Sequence, residues 1–269
     1  DNLDYMEAVK SLADRAGLAL PQDGYDDTLM KQRRRMLEAN REAARYFHET
    51  LFTPEGAAAL SYLQGRGLNA KIIRHFGLGC APNRWDGLLR HMRQKGYSEA
   101  ELVNANLARR SDKNGRTSCY DNFRNRMMIP IIDLRGNVIA FGGRVLDDAK
   151  PKYVNTSDTL VYKKSQAIFA LNFAKSANQG KLILAEGYMD VIAYHQAGFT
   201  NAVACLGTAL TREQARLLAR YADEVILSYD ADGAGQEATR RAIGIFNEIG
   251  MKLRVLRLSG GKDPDEILR

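Results

Sequence analysis

Carboxylates in this chain fall where apolar runs end. Leu182-Ile-Leu-Ala185 runs straight into Glu186 and Gly187, and Val225-Ile-Leu-Ser-Tyr229 into Asp230 and then Asp232. A third run, ending at Leu258, leads through Gly260-Gly261-Lys262 to Asp263 and Asp265, while Asp190 follows four residues after Glu186. Carboxylates brought close together repel unless a cation lies between them, and clustered hard oxygen donors suit Mg²⁺ or Mn²⁺. The chemistry these residues offer is therefore that of a divalent-metal site.

Each signal also has a plainer reading. Asp230-Ala-Asp232-Gly-Ala-Gly235 is equally a turn with a helix N-cap, and an Asp-x-Asp at a strand end occurs in phosphatases and glycosyltransferases too. An EF-hand is disfavoured, because the later oxygen ligands and closing Glu of that loop are absent. Asp190 suits the first turn of any helix, and Asp263-Pro264-Asp265 suits an N-cap followed by proline. Four such signals in one architecture outweigh the separate plain readings.

That architecture is α/β. From residue 166 onward, strands at 181–185, 201–205, 224–229 and 252–258 alternate with helices at 189–196, 211–221 and 236–249, which predicts a parallel sheet covered by helices. In such sheets active groups gather at the carboxyl ends of the strands. The first part reads as a helical front with a small sheet behind it: helices over 4–16, 29–51, 53–63, 69–75, 85–95 and 98–103, with 21–28 as a linker. Asp112-Lys-Asn-Gly115 is a hairpin signal, and strands at 127–133 and 136–141 follow. The expected division is 1–165 for a basic N-terminal subdomain and 166–269 for the metal-binding one.

The 269 residues carry 39 Lys+Arg against 32 Asp+Glu, a formal net charge of +7, and 45% of them are hydrophobic. Residues 1–165 hold 27 basic and 20 acidic side chains, whereas 166–269 hold 12 of each, so the whole excess lies in front. Within 109–164 there are 12 basic and 6 acidic residues, a surface suited to a polyanion. No stretch approaches the roughly 20 apolar residues of a membrane span, and no basic-then-apolar leader starts the chain. Cys80, Cys119 and Cys205 are too scattered for a disulfide framework or a zinc site, so a reducing, cytoplasmic setting is expected. A start at Asp1 and a stop at Arg269, just after a helical beginning, suggest a piece of a longer protein.

The motifs together resemble a family. Glu186-Gly-Tyr-Met-Asp190, Leu206-Gly-Thr208, Asp230-Ala-Asp232-Gly-Ala-Gly235 and Lys262-Asp-Pro-Asp265 resemble the Toprim motifs of bacterial DnaG-type primases. Arg66-Gly-Leu68, Asn122-Phe-Arg-Asn-Arg126, Phe141-Gly-Gly-Arg144 and Pro151-Lys-Tyr153 resemble that family's basic N-terminal subdomain. The resemblance implies the RNA polymerase core of a primase, in which a 3′-hydroxyl attacks the α-phosphate of a ribonucleoside triphosphate and pyrophosphate leaves. Its implied partners are a single-stranded DNA template, the RNA primer and the triphosphates. By motif position Glu186 is the essential glutamate, as metal ligand or base, and Asp190, Asp230, Asp232, Asp263 and Asp265 are metal-site acids for two or more Mg²⁺ or Mn²⁺ ions. Arg144, Lys152, Lys164 and, more weakly, Arg66 match basic residues that face the acids.

The same resemblance implies that a zinc-binding domain and a helicase-binding domain lie outside this chain. The chain is then expected to hold no zinc, to act as a monomer, and to meet the replicative helicase only through the absent part, at the bacterial replication fork. Toprim motifs alone also admit topoisomerases and nucleases, and a non-catalytic DNA-binding module, against which the full acid set at Glu186, Asp230 and Asp232 argues. A topoisomerase needs a tyrosine nucleophile on a separate domain, for which none of the twelve tyrosines has a suitable context. Gly142-Gly143 reads as a close backbone approach to a ligand, or else a turn or bulge, and Trp85 as the anchor of a helix start rather than a base contact.

Overall fold

Short polar side chains start several of the helices in the computed structural model. It describes residues 24–268, apart from 114–115, 178–179, 207–208, 231 and 257–263, together with residues 9, 12, 13, 15 and 16. Most of the helix expected over 4–16 thus lies outside the described residues, as do Asp263 and the Gly207-Thr208 pair. The first part comprises α1 (Gly24–Leu51), a 3₁₀ turn (Pro54–Gly56), α2 (Ala57–Gly65), α3 (Ala70–His75), β1 (Gly79–Ala81), α4 (Gly87–Gln94), α5 (Glu99–Asn104), β2 (Ala108–Lys113), β3 (Arg116–Asp121), β4 (Arg126–Ile132), β5 (Val138–Val145) and β6 (Tyr153–Asn155). The second comprises β7 (Ile168–Phe169), α6 (Leu171–Ala174), β8 (Lys181–Ala185), α7 (Tyr188–Gln196), β9 (Ala202–Cys205), α8 (Arg212–Leu218), β10 (Glu224–Ser228), α9 (Gly233–Glu248), β11 (Lys252–Val255) and α10 (Pro264–Ile267).

Asn69 caps α3 through the Ile72 amide, and Ser98 with Glu101 and Thr211 with Gln214 form reciprocal capping boxes on α5 and α8. At α4 the N-cap residue Asp86 makes no such bond. Instead the buried Asp121 carboxylate accepts from the Leu88 and Leu89 amides at 2.8 and 2.9 Å. Burial pushes Asp121 up to about 6 despite those two amides. Between its ordinary 3.8 and about 6 the native protein keeps a proton that the unfolded chain has released. Stability should therefore fall as pH rises through that window and then level off. Thermal melts from pH 4 to 7 should show this slope in the parent and a flatter profile in Asp121→Asn.

The first part packs around an antiparallel sheet of order β1-β4-β5-β6, with β2 and β3 as a separate hairpin. Alternation along β4 and β5 divides two cores. Met127, Ile129, Ile131 and Ala140 point to one face, against Tyr188, Val191 and Ile192 of α7. Met128 and Phe141 point to the other, against Ala39, Ala43 and Phe47 of α1. Arg144 pairs across from Met127 and Tyr153, and so belongs to the α7 face, whereas Arg126 and Val154 take the opposite one. Gly142, also on the α7 face, lets the Tyr188 ring close in: a Cβ there would sit 2.6 Å from its Cζ. The close approach expected at Gly142-Gly143 is thus to protein side chains, inside a strand rather than at a turn.

The second sheet runs β11-β10-β8-β9-β7. β11, β10, β8 and β9 are parallel, as the alternation predicts, but β7 joins β9 antiparallel, so the sheet is mixed. The chain enters β7 from the loop after β6 rather than by a β-helix-β crossover, so no crossover handedness constrains its direction. The expected linker at 21–28 is corrected as well: α1 starts at Gly24, and Asp27 pairs with Lys31 one turn on at 2.6 Å. Acidic residues in a first helical turn are favoured by the helix dipole, so aspartates there extend the helix instead of breaking it. Among the described residues, no helix is long and apolar enough to cross a membrane.

Candidate active site

β8 and β10 are hydrogen-bonded neighbours in register, Ala185 opposite Ser228, so the chain leaves both at the same edge of the sheet. Glu186 follows the first and Asp230 the second. Glu186 is half-buried and its Oε1 accepts the Asp230 amide at 3.0 Å, which ties the two strand ends together. Asp232 is the N-cap of α9, its Oδ1 accepting from the Gly235 amide at 2.8 Å. Asp190, buried in the first turn of α7, accepts from the Gly187 amide at 3.1 Å. Burial raises the Glu186 pKa, and the charges of Asp230 and Asp232 add to the rise.

In a cleft of about 300 Å³ Glu186, Asp190, Asp230 and Asp265 meet Arg66 and Lys152, with Asp232 outside the lining but close enough for its charge to act on Glu186. Asp265, in α10, is only 2% exposed and forms an ion pair with Arg66, 199 residues away in sequence. Arg144 stands beside them, its guanidinium 4.2 Å from the Tyr62 ring centroid, and Arg66 lies over the same ring at 5.5 Å. Lys164 does not line the cleft. Its backbone is held by Asp158 and Gln214 in the turn before β7. Of the residues singled out from sequence, the structure brings together Glu186, Asp190, Asp230, Asp232, Asp265, Arg66, Lys152 and Arg144. It leaves Lys164 to one side, and Asp263 is outside the described residues.

Among the described residues no three His, Cys, Asp or Glu side chains already converge on a single point as a closed metal cage. The donor set nevertheless fits a hard divalent cation. It is all carboxylate, it is partly desolvated, and its mutual repulsion disfavours ionised Glu186 in the way a cation would reverse. Gly235 keeps the cradle open, since a Cβ there would lie 2.7 Å from Glu186 Oε1.

Comparisons with known proteins identify the family. A family model described as the DNA primase catalytic core, N-terminal domain, matches residues 46–175, and a Toprim-like model matches 183–268. The DNA primase of Clostridium acetobutylicum is 46% identical over 272 residues, a match covering 100% of this chain and 44% of that protein. A DnaG primase catalytic domain solved bound to single-stranded DNA superposes with a TM-score of 0.81 at 36% identity, over 89% of this chain and 75% of that one. The chain belongs to the DnaG primase catalytic-core family. A DNA primase domain from Pseudomonas aeruginosa gives a TM-score of 0.78 at 40% identity, over 87% and 74% of the two chains. The chain spans less than half the length of the first curated relative. Toprim domains of this kind bind divalent metal ions, in keeping with the carboxylate donor set.

One feature of this DnaG-family core carries little signal in the sequence. Trp85 does precede α4, and it is 57% exposed and stacks on Tyr120 at 4.5 Å between ring centroids, 25° from parallel. The Arg124 guanidinium covers both rings, at 4.8 and 5.0 Å. Beside them Arg109, Asn122, Arg124 and Arg126 line a groove of about 200 Å³, bounded by Val154 of β6. The available signal was the basic run at 109–126. Missing was the pairing that carries Tyr120 to Trp85, whose carbonyl accepts the Asp121 amide at 2.8 Å.

Proposed function

We propose that this chain is the primer-synthesising core of a bacterial DNA primase, copying single-stranded DNA into short RNA by nucleotidyl transfer at the Glu186 cleft. The observation that carries this reading is the meeting, in one cleft of a DnaG-family chain, of acids from the ends of β8 and β10 with Arg66 and Lys152 from the basic front. Residues 1–165 supply the basic wall and 166–269 the acids. Glu186, Asp190, Asp230, Asp232, Asp263 and Asp265 would hold two or more Mg²⁺ or Mn²⁺ ions, which when bound neutralise the phosphates and favour the ionised 3′-hydroxyl. Arg144 and Lys152 bind triphosphate or template phosphates at the cleft, Lys164 would meet them only beyond its lining, and Arg66, already paired with Asp265, couples the two walls. Glu186 anchors the Asp230 amide and so fixes the spacing of the acids before any ligand arrives. In the whole protein the replicative helicase would be met through a part beyond this chain, at the replication fork in the cytoplasm, with this core acting as a single copy.

The groove beside Trp85 suits the template. Exposed stacked rings accept any base, and flanking arginines bind phosphates without regard to sequence, which fits an enzyme that copies many templates. Trp85→Ala should weaken single-stranded DNA binding by about tenfold, within the roughly 1–3 kcal/mol of one lost stacking partner, and leave the KM for triphosphates unchanged. Fluorescence anisotropy with a labelled oligonucleotide checks the first and primer-synthesis kinetics the second.

The decisive experiment supplies labelled ribonucleotides, Mg²⁺ or Mn²⁺ and single-stranded DNA, and looks for short RNA. Relaxation of supercoiled DNA or a covalent DNA adduct without RNA synthesis would overturn the reading. For the metal site, Asp230→Asn with Asp232→Asn should abolish Mn²⁺ binding by calorimetry. Unchanged affinity would remove those two residues from it.

A further inference from the structure

We propose that Tyr62 is a positioning residue whose ring holds the Arg144 guanidinium ready for the triphosphate, an inference that rests on the proposed role of Arg144. Tyr62 lies on α2, one turn before Arg66, and its ring carries two guanidiniums at once, Arg144 at 4.2 Å and Arg66 at 5.5 Å. The two cations are not equivalent. Arg66 is committed to the buried Asp265 carboxylate. Arg144 has no carboxylate partner among the described residues: its Nη1 donates to the Val145 carbonyl at 3.1 Å, and its Nε is buried without a hydrogen-bond partner.

An arginine left so weakly bonded would sample many rotamers and lose that freedom on binding a phosphate. A π-face that already holds it reduces the loss without using up its charge, as a carboxylate would. The Tyr62 hydroxyl takes no part, since it is buried and has no hydrogen-bond partner among the described residues. The ring, and not the phenol, carries the role.

The test uses the whole primase, with two readouts: equilibrium binding of a fluorescent ATP analogue, and steady-state primer synthesis on single-stranded DNA. Tyr62→Phe should match the parent within about twofold. Tyr62→Leu should raise Kd and KM for the triphosphate about tenfold with kcat within about threefold. Mono-, di- and trifluorophenylalanine at position 62, which weaken the π-face with almost no change of shape, should raise Kd stepwise. Adding Tyr62→Leu to Arg144→Ala should cost nothing further. A flat fluorinated series, or a Tyr62→Phe defect equal to that of Tyr62→Leu, overturns the proposal. If Arg144→Ala itself leaves Kd unchanged, the assigned role of Arg144 fails. If Arg144→Ala weakens binding while the fluorinated series stays flat, only the role of Tyr62 fails.

Discussion

Glu186→Gln is expected to reduce primer synthesis by about a thousandfold, the factor that ~4 kcal/mol of lost transition-state stabilisation represents. The substitution keeps the side chain's shape and an oxygen able to accept the Asp230 amide, so the strand ends stay tied as in the parent. What it removes is a charge that Asp230 and Asp232 already disfavour. Without divalent ions the variant should therefore melt no lower than the parent, since a repulsion has been relieved. The rise in Tm that Mn²⁺ gives the parent should shrink or vanish. Single-stranded DNA affinity should stay within about twofold, because the groove beside Trp85 is a different surface. Primer synthesis at parental rates would show that Glu186 is dispensable.

Gly235→Ala should do comparable damage without removing a single acid. A Cβ at this position would sit 2.2 Å from the Asp230 carbonyl oxygen and 2.7 Å from Glu186 Oε1. The first contact is with backbone and cannot be relieved by turning a side chain, so the loop between β10 and α9 must shift. Such overpacking costs typically about 1–3 kcal/mol of stability. It also spreads the carboxylates, so Mn²⁺ binding and primer synthesis should both fall steeply. Gly244→Ala on the same helix is the matched control, because a Cβ there meets nothing within 4 Å. It should be neutral or stabilise by about 0.5–1 kcal/mol through helix propensity. Equal behaviour of the two variants would show that the loop has room to adjust.

Much of this site was legible because its chemistry is local. Glu186 and Asp230 each follow an apolar run directly, and the rule that strand ends carry function places them together without knowledge of any long-range contact. Arg66 and Asp265 show the limit. Each residue type suggests a ligand-facing role, but nothing nearby in sequence says that they meet each other first, 199 residues apart. The surroundings of Trp85 escape the sequence for a similar reason: its partners Tyr120 and Arg124 arrive on β3 and the segment after it. β1 and β6 were missed because three residues are too few to display a period. The direction of β7 depends on the path of the loop that feeds it, which hydropathy does not encode.

The alternation along β6 bears on the path a template would take under the proposed function. Tyr153 and Asn155 border the acid cleft, while Val154 between them borders the groove beside Trp85, so the two surfaces are back to back across a single strand. On the proposed reading, a template held in the groove would have to curve over this rim before one of its bases stood above Glu186. Copying would start several nucleotides from the gripped segment, and an oligonucleotide too short to make the bend would bind well yet never be copied.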